Sequence, residues 1–549
     1  MTVDIPAEFR FNGLDWFIIV LYFIGMIYLS IYLSKGQENQ EDYYVGGRDL
    51  PWWAVGLSTM ATQTSAISFI SIPAFVALKA GGGLRWLQYE LAVPLAMIFI
   101  MALLLPFFRK LELISVYEYL EMRFGKATRY FLAGVFLFSR GLGTAVGLYA
   151  AAIILSVCFG IPLLYTIILL GVVTLIYDTI GGMKAVVYSD VIQMGILMLG
   201  IIFCCYYALA DVGGFLEAIR LFPKEQLVSL DMNWGFNGET FPFWGFLIGG
   251  FFLYSSYYGA DQSQTQRELS APTIEDTKKS LVFNGYFRFP LTLMYVLMGI
   301  VVGAYVISNT EIMNMIPTVN GEAKIDYMLP LFLMIKIPAG IKAIIFAAML
   351  AAAMSSLDSA INSLSASTMR DFVEQFIDVR DTEKKYLFLS KVTTVCWGIV
   401  ITVLAFGVKY MSTSVVESIN KIGSAFYGPI LAAFIVGVAT RRVNGKGVIA
   451  GILAGVGINV VLWLAAPQIF WMWWNLTGFV VAVVTALLVS FATEEPDYEK
   501  IDKFIIWNSD ELIQKEKKWI PQYLILVGYF FLILGITYYL PKILSGISV

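Results

Sequence analysis

Apolar runs of about 20 residues, each long enough to cross the hydrocarbon core of a bilayer, follow one another along nearly the whole chain. About fourteen can be drawn on that length rule, over residues 14–34, 52–78, 84–107, 130–158, 161–180, 183–210, 242–265, 281–308, 339–365, 386–410, 415–439, 446–466, 470–492 and 519–541. Of 549 residues 58% are hydrophobic and 14% charged, against about 25% charged in a soluble domain. The fold class expected is an all-α polytopic membrane protein, with the lipid bilayer as its surroundings and no loop long enough for an independent domain. A net charge of −3 supplies no basic stripe for a phosphate backbone, which excludes nucleic acid as a partner. Histidine is absent, so the commonest metal ligand and the usual pH switch are missing. The four cysteines, Cys158, Cys204, Cys205 and Cys396, lie in apolar runs without metal-ligand spacing. They read as packing residues.

Lys and Arg collect on cytoplasmic loops, and here they divide unevenly. One set of loops carries Arg109, Lys110, Arg123, Lys126 and Arg129, then Arg267, Lys278 and Lys279, then Arg370, Arg380, Lys384 and Lys385, then Arg441, Arg442 and Lys446, and the cluster from Lys500 to Lys518. The other set, 211–241 and 309–338, carries only Arg220, Lys224, Lys324 and Lys336. An inner-membrane protein with both termini extracytoplasmic is expected. Trp52, Trp53, Tyr130, Trp471 and Trp519 sit near span ends, where an interfacial aromatic belt forms. The N-terminal MTVDIPAEFRFNG lacks the basic region and cleavage site of a signal peptide.

The stretch Pro51–Leu78 is apolar at both ends, yet its middle reads Ser58-Thr59-Met60-Ala61-Thr62-Gln63-Thr64-Ser65. Lipid cannot satisfy those side chains, so the segment must face protein or a water-filled cavity. A helix broken at a substrate site has this pattern; a buried helix whose hydroxyls bond back to its own carbonyls is the alternative. The seventh run offers a second interruption, Gly249-Gly250 followed by Tyr254-Ser255-Ser256-Tyr257-Tyr258-Gly259. In the eleventh, Asn420, Gly423, Gly428 and Pro429 favour a bend.

Ionisable groups at membrane depth are functional candidates. These are Glu90, Arg140, Asp190, Asp261, Arg288 and Asp358, with Asp261 read as part of a cytoplasmic cap and Arg140 as the partner of a carboxylate. In AAAMSSLDSAINS, Ser355, Asp358, Ser359 and Asn362 recur at i, i+3, i+4 and i+7 and share a helix face. Hydroxyls with a carboxylate make an oxygen-only environment, suited to a hard cation such as sodium. A small-residue packing face is the alternative.

Several co-linear motifs then carry a resemblance: DYYVGGRDLPWWAVGLS, SVYEYLEMRF, IGGMKAVVYSDVIQ, YGADQSQTQRELSA and FAAMLAAAMSSLDSAINSLSAS. From Leu14 to about Ala492 the chain resembles the sodium:solute symporter family, which includes sodium/glucose cotransporters and sialic acid symporters. The resemblance implies a LeuT-like core of five-plus-five inverted repeats, here 52–210 and 242–440, with residues 441–549 as peripheral helices. It implies Na+ as coupling ion, held first by carbonyls of Ala61, Thr64 and Ala352 and hydroxyls of Ser355 and Ser356. A second sodium would use Asp190, Asp358 and Ser359; the family commonly has Ser or Thr where this chain has Asp358. Sugar-carrying members imply solute contacts at Glu90, Tyr257, Arg288 and Asn420, and sialate carriers imply Ser65, Ser68 and Gln88. The expected function is sodium-coupled import of a small polar solute, a neutral sugar or polyol first and an organic anion (sialic acid or a monocarboxylate) as the alternative. No nucleophile–base pair or phosphate-binding loop points to an enzyme. A sodium-conducting channel or a sensor is the alternative of another class.

Overall fold

The computed structural model describes residues 6–547 apart from 36, 38, 112, 239, 320, 377–382, 409–414 and 507–515. Arg380, counted above among the cytoplasmic cations, lies outside the described residues. The helices that matter here are α1 (Gly13–Leu33), α2 (Gln40–Val45), α3 (Trp52–Gln63), α4 (Ala66–Leu78), α5 (Val93–Leu103), α6 (Tyr117–Phe124), α7 (Lys126–Phe159) and α8 (Leu163–Val212). They are followed by α9 (Gly250–Gly259), α10 (Gln262–Glu268), α11 (Ile274–Ser308), α12 (Ile341–Ser367), α13 (Glu383–Ala405), α14 (Val415–Ala439), α15 (Gly445–Ala465), α16 (Trp473–Phe491) and α17 (Ile520–Ile547).

Among the described residues, eleven helices are long and apolar enough to span a bilayer, or twelve if the bent pair α3–α4 is one span. The expected count of fourteen is not confirmed. The runs 161–180 and 183–210 are carried by the one helix α8, which is interrupted at Gly182, with φ 59 and ψ −172. A side chain there would meet the Tyr43 carbonyl at 2.9 Å, so glycine serves both the positive φ and the close approach of α2. The run 242–265 splits after Gly259 into α9 and α10, with a π-helical turn over Gly245–Gly249 before it. Its break therefore falls at Ala260–Asp261 and not at Gly249–Gly250; Gly249 is needed because a Cβ would lie 2.3 Å from the Met472 carbonyl. In the eleventh run α14 is one continuous helix with Pro429 inside it.

Burial sorts core helices from lipid-facing ones. The most apolar window of Ile341–Phe376 is 89% buried and that of Val415–Ala439 is 78%, whereas α1 is 17% and Lys517–Gly546 22%. Exposed Phe17, Leu21 and Ile24 on α1 and Leu524, Ile525 and Phe531 on α17 form the surface a hydrocarbon solvent requires. The stripe of small residues on α12, Ala351–Ala353 and Ser355, is buried and lets α7 and α8 pack closely against it.

On the face with the Lys/Arg excess, charged groups tie these elements together. Arg129 at the start of α7 donates to Asp371 just beyond α12 at 2.7 Å and to Glu121 at 2.5 Å. Glu118 accepts from Arg370 at 3.1 Å and from the Ser115 amide at 2.9 Å. Burial pushes the Glu118 carboxyl upward, but Arg370 and that amide outweigh it and keep its pKa below the ordinary value. Asp371 is fully buried, so Arg129→Met leaves a carboxylate without its cation. The expected loss is about 3–5 kcal/mol, read as a lower thermal unfolding midpoint in detergent and recovered in part by adding Asp371→Asn. An unchanged midpoint in the single variant counts against the pair.

Candidate substrate and sodium sites

The break between α3 and α4 bends the span by 53°. Thr64 leaves the helix at φ −93, ψ 68, and Ser65 is extended. Local groups absorb the interruption. The Thr64 amide donates to the Ala61 carbonyl at 2.9 Å, the Ser68 hydroxyl to the Gln63 carbonyl at 3.1 Å, and Ser65 accepts from the Ile67 amide at 3.2 Å. Hydroxyls bonding back and a broken span, set out above as alternatives, thus occur together. At the second break Asp261 caps α10, accepting from the Ser263 amide at 2.8 Å.

A central cavity opens between the two breaks, lined by Gln63, Ser65 and Ser68, by Tyr89 and Glu90, by Arg140 on α7, by Tyr257 and Asp261, by Arg288 on α11, by Ser356 on α12, and by Asn420 and Tyr427 on α14. Six of the seven expected solute residues (Ser65, Ser68, Glu90, Tyr257, Arg288, Asn420) therefore meet here. Gln88 does not. Its amide donates to the carbonyls of Phe241 at 2.9 Å and Arg85 at 3.2 Å and accepts from the Asp231 amide at 3.2 Å, so it braces an outer loop.

Glu90 is saturated. Arg288 donates to both of its oxygens at 2.6 and 3.3 Å, Thr292 donates at 2.9 Å and Tyr254 at 3.2 Å. The remaining Arg288 nitrogen reaches the Thr64 hydroxyl at 3.4 Å. The Glu90–Arg288 pair is thus neutral and locks the first break to α11. Arg140 is different. Its nearest carboxylate oxygen, on Asp261, is 3.8 Å away, its guanidinium lies 5.5 Å from the centre of the Tyr257 ring, and its Nε has no hydrogen-bond partner among the described residues. A cation so loosely held at a cavity wall can take a ligand's anion. The sequence signal was an arginine at mid-span; its direction was not readable. Asn420 accepts from Tyr89 at 2.9 Å and donates to the Val416 carbonyl at 2.7 Å. Tyr258 donates to Gln63 at 2.5 Å, another contact that sequence alone did not indicate.

Next to the cavity, α3 and α12 come together. Thr62 and Ser359 are 3.4 Å apart, the Ser356 hydroxyl donates to the Ala352 carbonyl at 2.9 Å, and that of Ser359 to the Ser355 carbonyl at 2.5 Å. The fully buried Ser355 hydroxyl has no hydrogen-bond partner among the described residues. Among those residues no group of three or more Cys, Asp or Glu side chains is placed to hold a metal. The donor set on offer is hydroxyl and carbonyl oxygen, with the geometry left to α3 and α12. Behind it, Asp190 accepts from Ser58, and Arg267 donates to the same Ser58 hydroxyl at 2.8 Å and lies 3.7 Å from Asp190. Asp358 is buried with Arg267 and Tyr22 in electrostatic reach. Arg267, counted above as a cytoplasmic loop cation, is completely buried. The reason is the short α10, which folds QSQTQRE back into the protein: Gln262 and Gln266 bond to Ile114, Val116, Tyr44 and Asn362.

Comparison with known proteins agrees with this arrangement. The chain is 28% identical over 490 residues to the sodium/sialic acid symporter NanT of Aliivibrio fischeri, covering 87% of this chain and 93% of that one. It is 29% identical over 529 residues to the sodium/glucose cotransporter of Vibrio parahaemolyticus, covering 89% and 93%. A solved structure of a Na+-coupled sialic acid symporter, substrate-bound and outward-open, superposes with a TM-score of 0.78 at 25% identity over 88% of this chain and 99% of the other. The family model for the sodium:solute symporters matches residues 43–455. With the broken spans, the central cavity and the oxygen-lined α3–α12 contact in place, the chain belongs to the sodium:solute symporter family, a family of sodium-coupled membrane transporters and not of enzymes.

Proposed function

We propose that this sodium-coupled symporter imports an organic anion bearing a carboxylate and hydroxyl groups, a sugar acid of the sialic acid type, in preference to a neutral sugar. The observation that carries this reading is Arg140. Of the two guanidinium groups lining the central cavity, Arg288 donates to both oxygens of Glu90, whereas Arg140 has its carboxylate, Asp261, only at 3.8 Å. A charged donor in a partly desolvated site gives a carboxylate a strong, oriented contact. Ser65, Ser68 and Asn420 offer hydroxyl and amide groups to the rest of the molecule, and Tyr257 a ring face. The sialic acid symporters among the relatives support the same reading.

The first sodium is assigned to the carbonyls of Ala61, Thr64 and Ala352 with Ser355 and Ser356, between the broken span and α12. The second is assigned to Asp190, Asp358 and Ser359. Asp190 and Asp358 are both buried carboxylates, and Arg267 lies 3.7 Å from the first. Sodium at the first position bridges two elements and so favours one arrangement of them; that difference in affinity between states couples the ion gradient to the solute. Residues 52–210 and 242–440 are read as the two repeats that move against each other, with both termini outside.

Uptake into proteoliposomes tests the assignment. A sodium gradient should drive accumulation of labelled sialic acid over labelled glucose, and Arg140→Gln should raise the KM for the acid at least about tenfold, as loss of a charge-assisted contact of about 1.5–3 kcal/mol predicts. Preferred glucose uptake, unaffected by Arg140→Gln, restores the neutral-sugar reading. Ser356→Ala should shift the half-saturating sodium concentration upward while leaving the amount of folded protein intact; an unshifted sodium curve removes the first site. Asp190→Asn should lower the number of sodium ions moved per solute from two to one, measured from reversal potentials, and an unchanged ratio argues against the second.

A further inference from the structure

Glu268, the last residue of α10, is 1% exposed, and neither the solute cavity nor the sodium assignments use it. Neither of its carboxyl oxygens has a hydrogen-bond partner among the described residues. Cations on neighbouring segments are engaged elsewhere. Arg267 turns to Ser58 and Asp190, and Arg48 holds Glu41 and the carbonyls of Leu113 and Leu269. On α11, Lys278 holds Glu516 and Arg288 holds Glu90. The helices packed on α10 are α2, α3, α9 and α12. No ionisable residue occurs in α3. From α9, Tyr258 comes within electrostatic reach of Glu268, and its hydroxyl already donates to Gln63. Tyr43 and Tyr44 of α2 pair with Thr394 and Ser365, and Asp358 of α12 lies within reach of Arg267.

Burial therefore acts on Glu268 unopposed and pushes its carboxyl well above the ordinary carboxylate range. An unpaired carboxylate so placed costs far more than the neutral acid, so the side chain holds a proton. One turn earlier, on the same face of α10, Gln264 is 0% exposed, and its amide nitrogen and oxygen also lack partners among the described residues. A protonated carboxyl complements an amide, since it donates and accepts; a carboxylate only accepts.

The seven residues of α10 are held in place by side-chain bonds on the face with the Lys/Arg excess. Gln266 donates to the Tyr44 carbonyl and to Asn362, and Gln262 bonds the backbone of Ile114 and Val116. Parting those contacts releases α10 and lets water reach its buried sides. We propose that Glu268 is a proton-binding site that regulates this face of the transporter: its carboxyl is protonated while α10 is packed and gives the proton to water when α10 is uncovered. The proton leaves and returns by the same face, so it is an effector and not a further driving ion. A glutamate in water ionises near pH 4.3, roughly, so each pH unit above that favours the uncovered state by up to about tenfold. None of this depends on which solute is carried.

Infrared spectroscopy and thiol labelling of the purified full-length protein, in sodium-free buffer, decide it. The difference spectrum between wild type and Glu268→Gln should contain the carbonyl stretch of one protonated carboxylic acid. Ser365→Cys, with the four native cysteines changed to alanine, places a thiol behind Tyr44 that reports opening of this face. Its maleimide labelling rate with Glu268 present, divided by the rate in the Glu268→Gln background, cancels the titration of the thiol itself. That ratio should rise several-fold between roughly pH 5 and 9. Glu268→Gln should fold, because the amide matches the neutral acid. A carboxyl raised in the folded state loses stability as pH climbs above its unfolded value, so the thermal midpoint of Glu268→Gln should pull ahead of wild type as pH rises. A difference spectrum without the acid band, a labelling ratio indifferent to pH, or a glutamine variant that fails to fold each overturns the proton site.

Discussion

A backbone carbonyl facing hydrocarbon without a partner costs several kcal/mol, so a membrane helix can break only where protein supplies the missing hydrogen bonds. This chain breaks at Thr64–Ser65 and again at Ala260–Asp261, and the break residues themselves supply the first of those bonds. Ser65 and Asp261 cap the helices that follow them, while Thr64 and Ser68 turn their hydroxyls onto Met60 and Gln63 carbonyls at 2.8 and 3.1 Å. The remaining polar atoms have to be covered from outside, and α7, α11, α12 and α14 do this. The cavity is the space their packing leaves.

The same solvent dictates the charges. Among the described residues three acid–base contacts at membrane depth stand out, and they differ in how completely each carboxylate is answered. Glu90 has four donors on two oxygens and is a structural tie. Asp190 shares Ser58 with Arg267, so its charge is offset by a cation 3.7 Å away. Asp261 spends one oxygen on its own cap and stands 3.8 Å from Arg140. Only in the last is the cation the underused partner. The proposed anionic solute rests on that imbalance more than on any hydroxyl in the cavity.

Much of this was legible in the sequence, for physical reasons. Hydropathy finds spans because lipid tolerates little else, and a polar waist inside PWWAVGLSTMATQTSAISFISIPAFVAL marks a break because lipid cannot solvate it. The face Ser355, Asp358, Ser359 and Asn362 followed from helical spacing alone. What escaped was direction. Gln88 has the right chemistry for a solute and spends it on Phe241. Arg267 follows a broken span and looked like a loop cation, because nothing in QSQTQRE says that seven residues fold back as a buried helix. Arg140 was rightly given to a carboxylate, which is Asp261; the 3.8 Å between them was not readable. Gly249 has the composition of a hinge and is a contact point for Met472. Periodicity reads faces; it does not read which neighbour a face meets.

Different forces pack the elements toward the two ends of the cavity, and this bears on how the cycle runs. Toward the side with the Lys/Arg excess, α2 is buried and fixed by hydrogen bonds. Tyr44 meets the Ser365 hydroxyl at 3.1 Å, and its carbonyl accepts from Gln266, which also donates to Asn362 at 2.9 Å. Toward the other side the barrier is aromatic, with Phe241, Phe246 and Trp86 packed edge to face or stacked. Water entering the polar seal can replace each hydrogen bond it breaks, which leaves a modest net cost; water entering the aromatic layer must wet apolar surface. The polar contacts also stand on α12, the helix whose Ser355 and Ser356 carry the proposed sodium site, within ten residues of Asn362 and Ser365. On the proposed sodium assignment, an ion that sets the distance between α3 and α12 acts on these polar contacts through one continuous helix, which the aromatic layer does not share.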